Sequence, residues 1–126
     1  NIMNMSEYTP NSEQMADVFA LIGQPARLHI LLAIGTERAC VCQLETLLGQ
    51  RQAYISQQLM LLRDAGLVET ERSGRYIFYR IIDPRWLDLV KQAAAIMGIE
   101  LPTYSLPAIE GCHFTPNKEN DCEKGD

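Results

Sequence analysis

A chain of 126 residues, 47% of them hydrophobic, is one domain's worth of protein, with enough apolar side chains to build a core without disulfide or metal staples. The run Leu28 to Ile34 is interrupted by His29 and ends at Gly35, well short of the ~20 residues a membrane crossing needs. No secretory signal is read either, so a cytoplasmic protein with no membrane partner is expected. The net charge of −5 speaks against a nucleic-acid partner only until its distribution is considered: residues 27–80 hold seven Arg against five acids, and the surplus acids sit in the two ends.

Residues 1–10 read as an amino-terminal arm. Met15, Val18, Phe19 and Ile22 then fall at helical spacing ahead of Gly23, which predicts a first helix over Asn11–Ile22. Pro25 suits the first turn of a second helix, which carries Leu28, Leu31 and Leu32 on one face and stops at Gly35; His29 among these leucines is expected to be partly buried. A short third helix over Val41–Leu48 turns Leu44, Leu47 and Leu48 inward, with Gly49 as its left-handed stop. The fourth helix runs from Gln52 to Ala65. Ile55, Leu59 and Leu62 stack on its inner face, while Gln57 and Gln58 are expected to face elsewhere.

The period then changes. Leu67–Arg72 and Tyr76–Ile82 are rich in β-branched and aromatic residues around Ser73-Gly74-Arg75, a hairpin with glycine at its tip. Asp83-Pro84 restarts a helix that carries Trp86, Val90, Ala93 and Met97 on one stripe and ends at Gly98. Beyond it, prolines at 102, 107 and 116 and a polar end predict a flexible acidic tail over 99–126, with Cys112 and Cys122 in it. This order describes a mainly α fold with a β-hairpin wing: a winged helix-turn-helix over residues 11–98. Val18, Phe19 and Ile22 of the first helix, with Trp86, Val90, Ala93 and Met97 of the last, are expected to pair with a second copy as a homodimer, because a lone small domain would leave these faces wet.

The wording of the chain is more specific than its pattern. Gly23-Gln24-Pro25-Ala26-Arg27-Leu28-His29-Ile30-Leu31, Cys40-Val41-Cys42-Gln43-Leu44, Ile55-Ser56-Gln57-Gln58-Leu59 and Leu62-Arg63-Asp64-Ala65-Gly66-Leu67-Val68, followed by Gly74-Arg75 and Tyr79-Arg80, resemble the ArsR/SmtB family of metal-responsive repressors over roughly residues 12–98. The resemblance implies a homodimer on double-stranded operator DNA, with the fourth helix in the major groove and the wing along the backbone. By position, Gln52, Ala53, Tyr54, Ser56 and Gln57 become the outward residues of the recognition helix. Their chemistry suits the role, since a Gln amide pairs bidentately with adenine and Ser or Tyr hydroxyls bond bases or phosphates. Arg51, Arg72 and Arg75 are the natural phosphate contacts. On pattern alone, an ordinary polar surface explains these residues equally well. Many relatives carry His where Gln57 or Gln58 stands, so no operator sequence carries over.

Four cysteines without a signal peptide point to reduced thiols. Cys40 and Cys42 occupy the position where arsenic-, cadmium- and lead-sensing relatives carry a Cys-Val-Cys pair. Thiolates are soft donors, suited to As(III) or Sb(III) as inducer and to Cd(II) or Pb(II) as alternatives, and a helix amino terminus lowers a thiol's pKa. Residues i and i+2 of a helix lie ~200° apart, so capture by both sulfurs is expected to unwind the first turn. Cys112 is the candidate third donor, with Cys122 and His113 behind it; two sulfurs completed by water are the simpler arrangement.

Other readings stay open. Free Cys is often a small buried hydrophobe. A dithiol also oxidises or forms persulfide, which would make a redox-responsive repressor of the same fold. A winged-helix protein-interaction module without DNA binding is the third class. Residues 84–98 contain no His, so the Asp and His site that zinc-, cobalt- and nickel-sensing relatives carry on the last helix is not expected. No Gly-rich phosphate loop, C-x-x-C pair or Ser, His and carboxylate grouping suggests an enzyme, and no organic cofactor is expected.

Overall fold

The computed structural model describes residues 10–109, which form α1 (Pro10–Ile22), α2 (Pro25–Ile34), β1 (Arg38–Ala39), α3 (Val41–Leu48), α4 (Gln52–Asp64), β2 (Val68–Ser73), β3 (Tyr76–Ile81) and α5 (Arg85–Met97). Each helix begins and ends within a residue or two of its expected bounds, because the apolar spacing and the stop residues act locally. Gln24 adds a device that was not anticipated: its Oε1 accepts the Arg27 N–H at 3.0 Å and so caps α2. Gly49 ends α3 in the left-handed conformation, φ +66°, where its N–H donates to the Glu45 carbonyl at 2.9 Å.

The hairpin is tighter than expected. Ser73 pairs with Tyr76, which leaves Gly74 and Arg75 as a two-residue loop, and Gly74 at φ +62° supplies the backbone such a loop needs. The two-residue strand β1 gave no readable period. It pairs antiparallel to β3, Ala39 opposite Tyr79, so β3 is central in the order β1-β3-β2. This pairing fixes the chain immediately before Cys40.

The core lies where α2, α3 and α4 meet the base of the hairpin. Ile30, Leu31 and Ile34 come from α2, Val41 and Leu44 from α3, and Ile55, Leu59 and Leu62 from α4, closed by Leu67 and Val68. Leu59 is fully buried in this cluster, and Leu59→Ala is expected to cost about 2–5 kcal/mol in a chemical denaturation curve. A loss below 1 kcal/mol would mean that α4 is not seated on this core.

Several placements differ from expectation. Ile22, expected at the dimer face, belongs to the core of its own chain. His29 is exposed, with its Nδ1 3.2 Å from the Tyr104 hydroxyl. Gln58 points inward and is buried. Residues 99–109, expected as the start of a tail, pack back on the body of the chain. Tyr104 and Leu106 pack on the main core, and Ile109 packs on Cys40, Cys42 and Phe78. Pro102 and Pro107 lack the N–H that a helix or strand would use, and the apolar Tyr104, Leu106 and Ile109 tack this stretch down. The remainder of the arm and tail, including Cys112, His113 and Cys122, lies outside the described residues.

At the entry to α5, Asp83 Oδ1 accepts the Arg85 N–H at 3.0 Å, while Oδ2 pairs with Arg85 Nη2 at 2.7 Å. The side-chain and backbone bonds from Arg85 hold the Asp83 carboxyl down, from 3.8 to about 2. A depressed carboxyl stabilises the fold fully above its unfolded pKa, and that contribution disappears as pH falls through the folded one. Asp83→Asn is therefore expected to lower Tm at neutral pH. The gap between the two proteins should close as pH drops from about 4 towards 2; a gap that does not change with pH would remove the carboxylate from the explanation.

Candidate nucleic-acid interface and thiol pair

The outer face of α4 carries Arg51 at the N-cap, followed by Ala53 and Gln57 fully outward and Gln52 half-buried. Two expected members stand differently. Tyr54 is half-buried, its hydroxyl accepting from Gln24 Nε2 at 3.2 Å. The Ser56 Oγ is buried and has no hydrogen-bond partner among the described residues, so it faces into the fold rather than out of it. Sequence polarity marked both as surface; only the packing of α4 against α2 and α3 separates them from Gln57.

On the wing, Arg72 and Arg75 are exposed, and the Arg75 guanidinium lies 5.7 Å from the centre of the Tyr76 ring. The other two arginines of the sheet are occupied. Arg38 and Arg80 both pair with Glu71, Arg80 Nη1 at 2.9 Å from Oε1, and Arg38 also stacks over Phe78 at 4.2 Å. Hydrogen bonds from Arg38, then from Arg80, hold the Glu71 carboxyl below its ordinary range. Arg72 and Arg75 make no salt bridge among the described residues, which leaves their charge available to an outside anion such as a phosphate.

The two thiol positions meet at the amino end of α3. Cys40 is the N-cap in extended backbone, φ −92° and ψ 166°, and Cys42 lies in the first turn. Residue 40 is thus already outside the helix. The expectation that both sulfurs reach one ion only by unwinding a turn loses its premise, because the ~200° separation applies to two helical residues. Gln43, a residue the sequence reading passed over, folds back so that its Oε1 accepts the Cys40 N–H at 3.1 Å in a capping box. Its Nε2 donates to the Pro107 carbonyl at 2.6 Å. The spacing of a short polar residue and a Gln three positions on was the available signal. Cys40 and Cys42 are each 0% exposed and cluster with Phe78 beneath Ile109. Cys42, expected as a reduced thiol, is disulfide-bonded. Among the described residues, no group of three or more His, Cys, Asp or Glu is placed to hold a metal ion.

A protein-family model described as "Bacterial regulatory protein, arsR family" matches residues 24–70. The biofilm growth-associated repressor of Agrobacterium fabrum is 35% identical over 83 residues, which are 66% of this chain and 71% of that one. The chain belongs to the arsR family of bacterial regulatory proteins. A transcriptional repressor SmtB homolog from Synechocystis is 31% identical over 83 residues; this arsR-family chain spans 63% of that protein's length, just under two thirds. The fold matches a homodimeric winged helix-turn-helix DNA-binding domain from Mycobacterium bovis, a possible ArsR-family transcriptional regulator, with a TM-score of 0.66 at 24% identity over 81% of this chain and 94% of that one. Membership places the chain among transcriptional regulators. No single helix among the described residues is long and apolar enough to cross a membrane.

Proposed function

We propose that this arsR-family regulator is a homodimeric repressor on double-stranded operator DNA that lets go when the thiolates of Cys40 and Cys42 take up As(III) or Sb(III), with Cys112 as candidate third donor and Cd(II) or Pb(II) as alternative ions. The observation that carries the reading is one of position. Both sulfurs sit at the end of α3, and α3 packs on α4, whose outer face carries Arg51, Gln52, Ala53 and Gln57. Arg72 and Arg75 on the wing supply phosphate contacts without giving up another partner.

The donor set suits a soft ion. Such an ion supplies strong bonds to sulfur that hard cations do not make. Cys40 and Cys42 would hold it, and drawing their sulfurs together would disturb the capping box of Gln43 and shift α3 against α4. A coupling of ~1–3 kcal/mol between the two sites is enough to change DNA occupancy several-fold or more. Dimerisation rests on apolar surface left on the terminal helices: Met15 and Phe19 on α1, and Leu89, Ala93, Ile96 and Met97 on α5. Of the residues expected there, Trp86, Val90 and Val18 are half-buried against their own core, so the outward stripe of α5 is rotated towards Leu89 and Ile96.

The disulfide at Cys42 favours a second signal, thiol oxidation. With hydrogen peroxide as oxidant, two thiols lose two electrons and two protons, one S–S bond forms, and the peroxide is reduced to two waters. One experiment separates the signals. The full chain, reduced, is bound to a duplex that it has enriched from a randomised pool, and antimonite, arsenite, cadmium, zinc and hydrogen peroxide are titrated against the complex. Release by antimonite or arsenite below the concentration at which peroxide acts supports the metalloid reading. Release by peroxide alone replaces it with the redox one.

A further inference from the structure

Apolar packing seats a helix but does not fix its rotation closely, because burial of apolar area has little directional preference. Hydrogen bonds do have one. On the inner side of α4 two polar groups, Tyr54 and Gln58, lie four residues apart and therefore share one face. Both are tied to the start of α2. Gln24 Nε2 donates to the Tyr54 hydroxyl at 3.2 Å, and Arg27 Nη1 donates to Gln58 Oε1 at 2.8 Å. Gln58 is a buried polar side chain beside the apolar Ile55, Leu59 and Leu62, and Arg27 is what satisfies its oxygen.

Arg27 does more than answer Gln58. Its Nε donates to the Leu21 carbonyl at 2.6 Å, one of the last carbonyls of α1, which has no partner within its own helix. One guanidinium thus joins the end of α1 to the middle of α4. Gln24 works in parallel, since the oxygen of the same amide that reaches Tyr54 caps α2. Arg27 is not placed on the outward face with Arg51 and Gln57; it is half-buried between helices.

The geometry points to Arg27 as a positioning residue for DNA reading: through Gln58 it sets the rotation of α4 relative to α1, and so the angle at which Gln52, Ala53 and Gln57 meet base edges. This rests on the DNA-binding reading above. Side-chain tips on a helix lie about 5–6 Å from its axis, so a turn of about 10° moves them by about 1 Å. That distance separates a good base contact from none. Backbone phosphate contacts by long Arg side chains tolerate the same movement, so the loss should fall on sequence discrimination rather than on overall affinity.

The test compares full-length Arg27→Lys and Gln58→Met with the parent protein on two duplexes, one enriched from a randomised pool by the parent and one unrelated duplex of equal length. Lys keeps the charge but not the planar fork that reaches two acceptors. Met removes the acceptor and keeps the side chain's bulk. Both variants are expected to bind the enriched duplex about tenfold more weakly and the unrelated duplex within about twofold of the parent, with the slope of log affinity against log salt unchanged. The two changes combined should cost no more than the larger of them, since they break one contact. Equal losses on both duplexes with a shallower salt slope would make Arg27 a phosphate contact and overturn the proposal. So would a Lys variant that binds like the parent. If the parent itself enriches no duplex and binds none, the DNA reading falls first and this inference with it. Gln58→Met guards against misfolding: an unfolded Lys variant beside a folded Met variant with full discrimination also rejects the idea.

Discussion

Cys40→Ser together with Cys42→Ser is expected to leave a repressor that binds its duplex but no longer lets go under antimonite. The parent should weaken by roughly 5–150-fold when the ion is present, the range of ordinary coupling between two sites, and the variant not at all. Serine is the right replacement at position 40 because a hydroxyl is a preferred N-cap oxygen and preserves the polar start of α3. At position 42 it places a hydroxyl in a fully buried site, which costs about 1–3 kcal/mol of stability if it finds no partner. A melting curve therefore accompanies the binding assay, and Cys42→Ala serves where the Ser variant melts too low. Continued release of the folded double variant by antimonite would end the claim that these sulfurs carry the signal.

Ile96→Glu is expected to have the second large effect, on association rather than on folding. Ile96 is 85% exposed and Met97 70% exposed, whereas α5 is held to its own chain through Trp86, Leu87 and Val90, so a charge at Ile96 leaves the single chain intact. In a twofold dimer each substitution occurs twice at one patch. Burying the resulting carboxylates without partners should weaken the dimer by at least about a hundredfold, or roughly 3 kcal/mol. Sedimentation at several concentrations should show monomer where the parent is dimeric. Affinity for the enriched duplex should fall with it, because a single copy engages only one half-site of a pair set ~34–36 Å apart. A variant that remains dimeric at low micromolar concentration would place the contact elsewhere, for instance on Met60 and Leu61 of α4, which are also exposed.

How far the chain could be read without coordinates follows from the range over which each signal acts. Helices α1 to α5 and the hairpin were visible because apolar spacing, Pro25, Gly49 and the Ser73-Gly74-Arg75 turn exert their effect within a few residues. Ile55, Leu59 and Leu62 were assigned to the core correctly for the same reason. Strand β1 was not visible, since two residues carry no period and its partner Tyr79 lies forty positions away. Gln58 and Ser56 were read as outward because they are polar; what turns Gln58 inward is Arg27, thirty-one residues earlier. Ile22 and Phe19 looked alike on one stripe, yet the first is core and the second is 53% exposed, a distinction set by how α2 crosses α1. The thiol pair was legible in position and spacing, and its burial agrees with the small-buried-hydrophobe alternative; what covers it was not legible, because Pro107 and Ile109 reach it from more than sixty residues downstream.

That return of residues 99–109 over the start of α3 changes what a shortened version of this protein would be. A chain stopped at Gly98 keeps all five helices and the wing, and would pass as a complete winged helix by shape. It would nevertheless have lost the roof over its sulfurs, the Pro107 carbonyl from Gln43 and Ile109 from Cys40, Cys42 and Phe78. Reagents in solution meet no sulfur of Cys40 or Cys42 at the surface of the longer chain; on the thiol-signal reading proposed above, the rate of response is expected to follow how often this stretch lifts, an opening governed by local rather than global stability. Speed of response and strength of response are then separate properties, written in different parts of the same polypeptide.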